Sequence, residues 1–154
     1  MRRVDLRPLL RGSLGRKIAI LDLIIMKIIL EDFLRYSAQP ILYRMGEEVG
    51  RRYSEVFNKE KMTSEEQLVN TIALIGELKK EEIEIKAKSN VRATIKDGWE
   101  AKAYQEKQSR PSCHYTRGLL AGIISHSLNK KGRVKETKCK AAGDALCEFI
   151  FVEG

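Results

Sequence analysis

The sequence has 154 residues, 43% of them apolar and 32% charged, with a formal charge of +8. That is one ordinary soluble globular domain, long enough to bury a core without covalent staples. The charge is concentrated at one end, where residues 1–17 carry Arg2, Arg3, Arg7, Arg11, Arg16 and Lys17 against Asp5; no basic stripe interleaved with aromatics follows, so nucleic acid is not an expected partner.

In chain order, residues 1–13 read as a basic N-terminal arm and 14–154 as the folded domain. The apolar run Ile18 to Leu30 is interrupted by Asp22 and Lys27 and closed by Glu31 and Asp32. Ionisable groups near the middle exclude a membrane span, and the run lacks a signal-peptide cleavage site. Leu21, Ile24, Ile25, Ile28, Ile29 and Phe33 recur at helical spacing, which predicts a buried helix over about 20–36, covered on more than one side. Ser37 to Pro40 should break it, because proline disfavours helical geometry at Gln39.

A second helix is predicted over 41–57, with Ile41, Leu42, Met45, Val49, Tyr53 and Phe57 on its apolar side and Gly46 and Gly50 four residues apart. Glycines at that spacing imply close approach of a backbone or a bound molecule. Thr63-Ser64-Glu65-Glu66 is a capping-box start for a helix ending near Lys79-Lys80. The period then changes to alternation. Ile83, Ile85 and Ala87, a turn at Ser89-Asn90, then Val91, Ala93 and Ile95 predict a hairpin with one solvated face. The stretch from Trp99 to Lys107 reads as a short helix or irregular crossing, with Trp99 in the core.

Pro111 suits the first turn of a helix running to about Leu128, with Gly118, Gly122 and Ser125 as a small-residue strip. Two strands complete the chain, from Arg133 to Cys139 and from Leu146 to Val152. The second is apolar on both faces, as a strand inside a sheet should be. The fold expected is therefore α+β: a single compact domain of helices packed on an antiparallel sheet, closed by a C-terminal helix and β-hairpin.

All three cysteines lie in this last third. With no secretion signal, they argue for reduced, cytoplasmic thiols rather than a disulfide framework. Cys113, Glu136, Cys139 and Cys147 supply four donors of the kinds zinc accepts, and a full protein shell marks a structural site. Strand parity opposes Glu136, since it and Cys139 are three apart, unless the strand turns or bulges near Thr137-Lys138. His114 and Asp144 are alternative fourth donors. Residues alone leave three readings open: a zinc site, buried reduced cysteines, or a Cys139–Cys147 disulfide.

This stretch resembles the 4-vinyl reductase (4VR) domain family. The matching positions are Cys113-His114, Gly118 and Ala121-Gly122, then Val134, Glu136, Cys139, Gly143-Asp144, Cys147 and Phe149, with Ile41 to Gly50 resembling that family's glycine helix. The resemblance implies a hydrophobic ligand cavity between helices and sheet, and a homodimer. It implies zinc at the Cys, Glu, Cys and Cys positions, as in related sensor domains of aromatic-responsive activators. It also relates the chain to transport-particle subunits, which are scaffolds, and to tetrapyrrole vinyl reduction.

Signals for catalysis are thin. The run Gly12 to Lys17 lacks phosphate-loop spacing, and Ser125-His126 are helix neighbours that cannot face each other as a triad requires. A closed four-ligand site leaves no position for activated water. The function expected is a zinc-stabilised domain that binds or senses an unidentified hydrophobic molecule and is not an enzyme on its own.

Overall fold

A computed structural model describes residues 13–57, 63–79, 81–86, 91–104 and 107–154. The element order is α1 (Ser13–Leu34), a 3-10 turn (Arg35–Ser37), α2 (Ala38–Phe57), α3 (Ser64–Lys79), β1 (Ile83–Lys86), β2 (Arg92–Ile95), α4 (Trp99–Lys102), α5 (His114–Leu128), β3 (Gly132–Lys138) and β4 (Cys147–Glu153). The strands form one antiparallel sheet in the order β1-β2-β4-β3. This is the expected α+β domain, and β4, apolar on both faces, is an inner strand. The basic residues of 1–12 and the turn at Ser89-Asn90 lie outside the described residues.

The capping box forms as expected. The Thr63 N–H donates to Glu66 Oε2 at 2.9 Å, and the Glu66 N–H donates to Thr63 Oγ1 at 3.3 Å. Leu68, Ile72 and Ile75 then turn inward along α3. Trp99 is core, with its ring edge-on to Tyr115 at 5.8 Å between centroids. Two helix boundaries differ from expectation. The chain breaks at Arg35, which takes a left-handed φ of 49°, while Gln39 and Pro40 sit inside the first turn of α2. Proline is tolerated there because first-turn N–H groups have no intrahelical partner. Similarly, α5 begins at His114, so Pro111 precedes it and Cys113 is its N-cap residue. Its far end closes on Asn129 in left-handed geometry, with the Lys130 N–H donating to Ser125 O at 3.1 Å.

α5 is the central helix: Leu119, Leu120, Ile123 and Ile124 are all buried, each contributing about 1.5–3 kcal/mol by leaving water. α2 packs along it through a reciprocal glycine seam. A Cβ on Gly46 would lie 2.8 Å from Leu119 N, and one on Gly118 would lie 2.9 Å from Glu47 N. Gly50 and Gly122 repeat the arrangement one turn on, at 3.0 Å from Ile123 N and 2.8 Å from Arg51 N. The buried face of α2 is accordingly Ala38, Leu42, Gly46, Gly50 and Ser54, whereas Ile41 and Met45 are exposed.

The expected burial of α1 is not met within one chain. Leu21 is 54% exposed, Ile29 49% and Phe33 84%, with Ile25, Met26 and Ile28 also open. Only one side of the helix meets the rest of the domain, and that side is anchored by a cation: Lys27 is 1% exposed. A stripe that runs around several sides of a helix cannot be covered by neighbours on one. No described helix is long and apolar enough to cross a membrane.

Candidate metal centre

Three elements bring the donors together. Cys113 stands at the start of α5, Cys139 follows β3, and Cys147 opens β4. Glu136 belongs to β3, and the parity objection to it is resolved by the register. Glu136 faces Phe149 and Lys138 faces Glu148, so Thr137 is an extra residue bulged out between them. The bulge resets the pleat, so that Glu136 and Cys139 reach the same place. Thr137 Oγ1 pins it by donating to Glu148 Oε1 at 2.8 Å.

The ligand atoms of Cys113, Glu136, Cys139 and Cys147 all lie within 4.8 Å of one another, a Cys3Glu group that could hold a metal ion. Cys113 Sγ is 3.9 Å from Cys139 Sγ and 3.8 Å from Cys147 Sγ, and all three cysteines are free. Disulfide sulfurs sit at about 2.0 Å, whereas a tetrahedral ion bound at about 2.3 Å holds its sulfurs about 3.8 Å apart. These two distances match the separation of sulfurs around a tetrahedral ion and not that of a disulfide. Glu136 Oε2 accepts the Cys113 N–H at 3.0 Å, while its buried Oε1 has no hydrogen-bond partner. An orphaned carboxylate oxygen beside three thiols is the kind of donor a cation satisfies. Cys147 Sγ accepts the Lys140 N–H at 3.3 Å, which steadies its thiolate.

Electrostatics point the same way. Burial, followed by the neighbouring Cys139, raises the Glu136 carboxyl to about 8. Hydrogen bonds from Cys113 and Cys147 lower the Cys139 thiol. Cys113 is raised by Cys139 and Cys147 in turn. At Cys147 the contact with Cys113 acts downward, but Cys139 and burial prevail and hold it at about 12. One negative charge is favoured here and further ones are resisted, so the donor set needs a cation to ionise together.

His114 and Asp144, the alternative donors, have other partners. His114 Nδ1 is 3.3 Å from an Arg117 nitrogen, and burial lowers its imidazole to about 4, so it is neutral. Asp144 Oδ2 accepts the Cys139 N–H at 2.8 Å and so holds the loop behind the thiol.

A support that carries no local motif lies behind the start of α5. Glu100, 1% exposed, accepts the Tyr115 N–H at 3.0 Å and the Thr116 N–H at 2.8 Å. It thereby satisfies helix-start donors from α4 rather than from a neighbouring residue. Lys27 pairs with Glu100 at 3.3 Å and with Glu31 at 2.5 Å, and donates to Ser112 O at 3.2 Å. Burial works against its charge, but Glu100, Glu31 and Tyr104 together raise its pKa. The lysine that interrupts the apolar run of α1 is thus bound one residue before Cys113. Its signal in the sequence was that interruption, but nothing local names Glu100 as its partner.

Gly46, Gly50, Gly118 and Gly122 face the opposite backbone across the seam. A groove of about 460 Å³ runs between α2 and the end of α5, lined by Gly122 and by charged or polar residues that include Arg44, Glu47, Arg51, His126 and Lys131. His126 Nδ1 lies 3.0 Å from Ser54 Oγ on α2 rather than against Ser125, and Ser54 Oγ also meets Ser127 Oγ at 2.8 Å. Ser54 is fully buried, so this is a helix-to-helix bond and not a nucleophile.

Residues 91–153 match the V4R domain family, which bears out the resemblance to 4-vinyl reductase domains. An uncharacterized protein of Methanocaldococcus jannaschii is 30% identical over 116 residues, which is 73% of this chain and 63% of that protein's length. Three solved structures share the fold. The phenol-responsive sensory domain of the transcription activator PoxR, with phenol, has a TM-score of 0.72 at 17% identity, over 87% of this chain and 74% of its own. A vinyl-4-reductase family protein of M. jannaschii has 0.65 at 18%, over 99% and 98%. A trafficking protein particle complex subunit 3 of Naegleria fowleri, covalently bound to palmitic acid, has 0.60 at 14%, over 90% and 96%.

Proposed function

Starting from a V4R domain over residues 91–153, we propose that this chain is a zinc-stabilised domain that binds or senses a small hydrophobic or aromatic molecule. It acts without catalysis of its own, as a homodimer, in the reducing cytoplasm where its thiols stay available. The observation that carries the metal reading is the sulfur spacing of 3.8 and 3.9 Å beside the partnerless Glu136 Oε1. Cys113, Glu136, Cys139 and Cys147 hold the ion. Bound there, zinc supplies positive charge and a cross-link, and no open coordination position. The chain's own residues do the rest: Glu100 and Lys27 fix the start of α5, and the β3 bulge presents Glu136 and Cys139 together.

The ligand reading is supported by the fold shared with a phenol-responsive sensory domain and by Trp99. Its buried indole N–H has no hydrogen-bond partner, and the ring lies beside Tyr115 with Lys79 Nζ at 5.7 Å from its centroid. A partnerless buried donor beside an aromatic ring is the feature that supports a phenol-like ligand at this position. Because Trp99 is the only tryptophan, its fluorescence reports that site alone. Titration with phenol and larger phenols should change the emission in a saturable way, and native mass spectra of freshly purified protein should show a bound non-protein mass. Unchanged emission together with a bare mass would contradict the ligand reading.

The homodimer reading rests on the exposed apolar stripe of α1, a continuous surface of the kind that marks an interface. The same stripe favours a second reading, an interaction scaffold like the trafficking subunit. Sedimentation of the pure protein separates the two. A dimer that Phe33→Glu converts to monomer favours self-association; a wild-type monomer favours a different partner.

A further inference from the structure

The open face of the sheet carries a second pattern, which the metal and ligand readings leave unused. Register places Lys86 of β1, Arg92 of β2, Ile150 of β4 and Lys135 of β3 in one row across all four strands. The next row of β3 and β4 pairs Arg133 with Val152. These side chains alternate with the inward Ala93, Phe149 and Val134, so they stand on the outer face. Lys86, Arg92, Arg133 and Lys135 are exposed, while Ile150 and Val152 between them are half-buried. Arg92 and Lys138 both lean on Glu148, at 3.4 and 3.8 Å. A shallow depression of about 120 Å³ lies where Glu84, Lys86, Arg92, Thr94 and Glu148 meet.

We propose that this face docks an acidic protein segment whose carboxylates reach Lys86, Arg92 and Lys135 while an apolar side chain covers Ile150. Charge complementarity sets the sign of the partner. The arrangement of an apolar strip with cations around it is that of a protein interface, where the centre is dry and the rim charged. A nucleic acid fits less well. Among the described residues the face presents no aromatic side chain on which a base could stack, and Glu84 and Glu148 at the depression repel a continuous line of phosphates. An acidic protein segment spaces its carboxylates along an otherwise neutral backbone, so they can fall on Lys86, Arg92 and Lys135 and clear of Glu84 and Glu148.

The test uses the full chain and a fluorescein-labelled peptide that alternates glutamate with leucine, read by anisotropy. Wild-type protein should bind it, and the affinity should fall as salt rises. The K86E/R92E/K135E variant should bind at least about tenfold more weakly, because it sets like charges against the peptide's carboxylates. An R44E variant, altered on the exposed side of α2 rather than on the sheet, should bind like wild type. Melting temperature and metal content, measured on each variant, show that the fold is intact; should the triple variant fail that check, K86Q/K135Q takes its place. Equal affinity in wild type and the face variant would overturn the proposal. So would salt-independent binding, or tighter binding of polyuridine RNA or phosphatidylserine vesicles than of the peptide.

Discussion

α5 is held in two places by opposite means. Along its flank, the seam with α2 is a matter of shape: glycines let two backbones touch. At its start, the cysteine cluster is incomplete, with an unsatisfied carboxylate oxygen and thiols that resist ionising together. The seam stabilises by shape, whereas under the proposed metal reading the cluster stabilises only with charge supplied from outside. On that reading one region is scaffold, and the other makes folding conditional on an ion.

The largest effect that separates them should come from filling the seam. Gly118→Val puts a side chain into the backbone of Tyr43 and Glu47, and neither can step aside. A loss of about 4 kcal/mol or more is expected in urea unfolding, far above the helix-propensity gain of roughly 0.5 kcal/mol. The loss should be the same with and without chelator. A loss that vanishes on chelation would mean that the two regions are not independent.

Lys27→Met comes next. It leaves Glu100 buried without its cation, which costs about 3 kcal/mol, and it also frees Ser112 O beside Cys113. Unlike the seam variant, it should weaken metal retention as well as stability. Retention equal to wild type would confine Lys27 to the scaffold.

Legibility in the sequence differed in the same way. The cluster was readable because cysteines are rare and their spacing is specific; even the bulge at Thr137 was required by the parity of Glu136 and Cys139. The seam was half readable, since Gly46 and Gly50 announce close approach but do not say to what. Gly118 and Gly122 answer only in three dimensions. α1 misled, because periodicity tells which residues are apolar and not whether one chain has enough surface to cover them. Glu100 was invisible, because it caps a helix from across the fold.

Smaller effects sharpen the picture of the cluster. Glu136→Gln keeps an acceptor for the Cys113 N–H but removes the charge, and should weaken zinc binding by at least the roughly tenfold to hundredfold that losing a mere outer-shell partner costs. Because Cys113 and Cys147 are raised and hold their protons without a metal, zinc added in weak buffer should release protons, and affinity should fall as pH falls. Release of no protons would mean that the thiols are not the ligands. At the small end, Arg51→Ala on the exposed edge of the seam breaks ion pairs with Glu48 and Glu55 and should leave melting unchanged.

The central claim is that Cys139 and its neighbours hold a structural zinc ion, and metal content after equilibrium dialysis tests it most directly. Wild-type protein should retain one zinc per chain and Cys139→Ala essentially none, with a lower melting temperature that chelation reproduces in the wild type. A Cys139→Ala protein that keeps its zinc, or a chelated wild type that melts as before, would contradict the account.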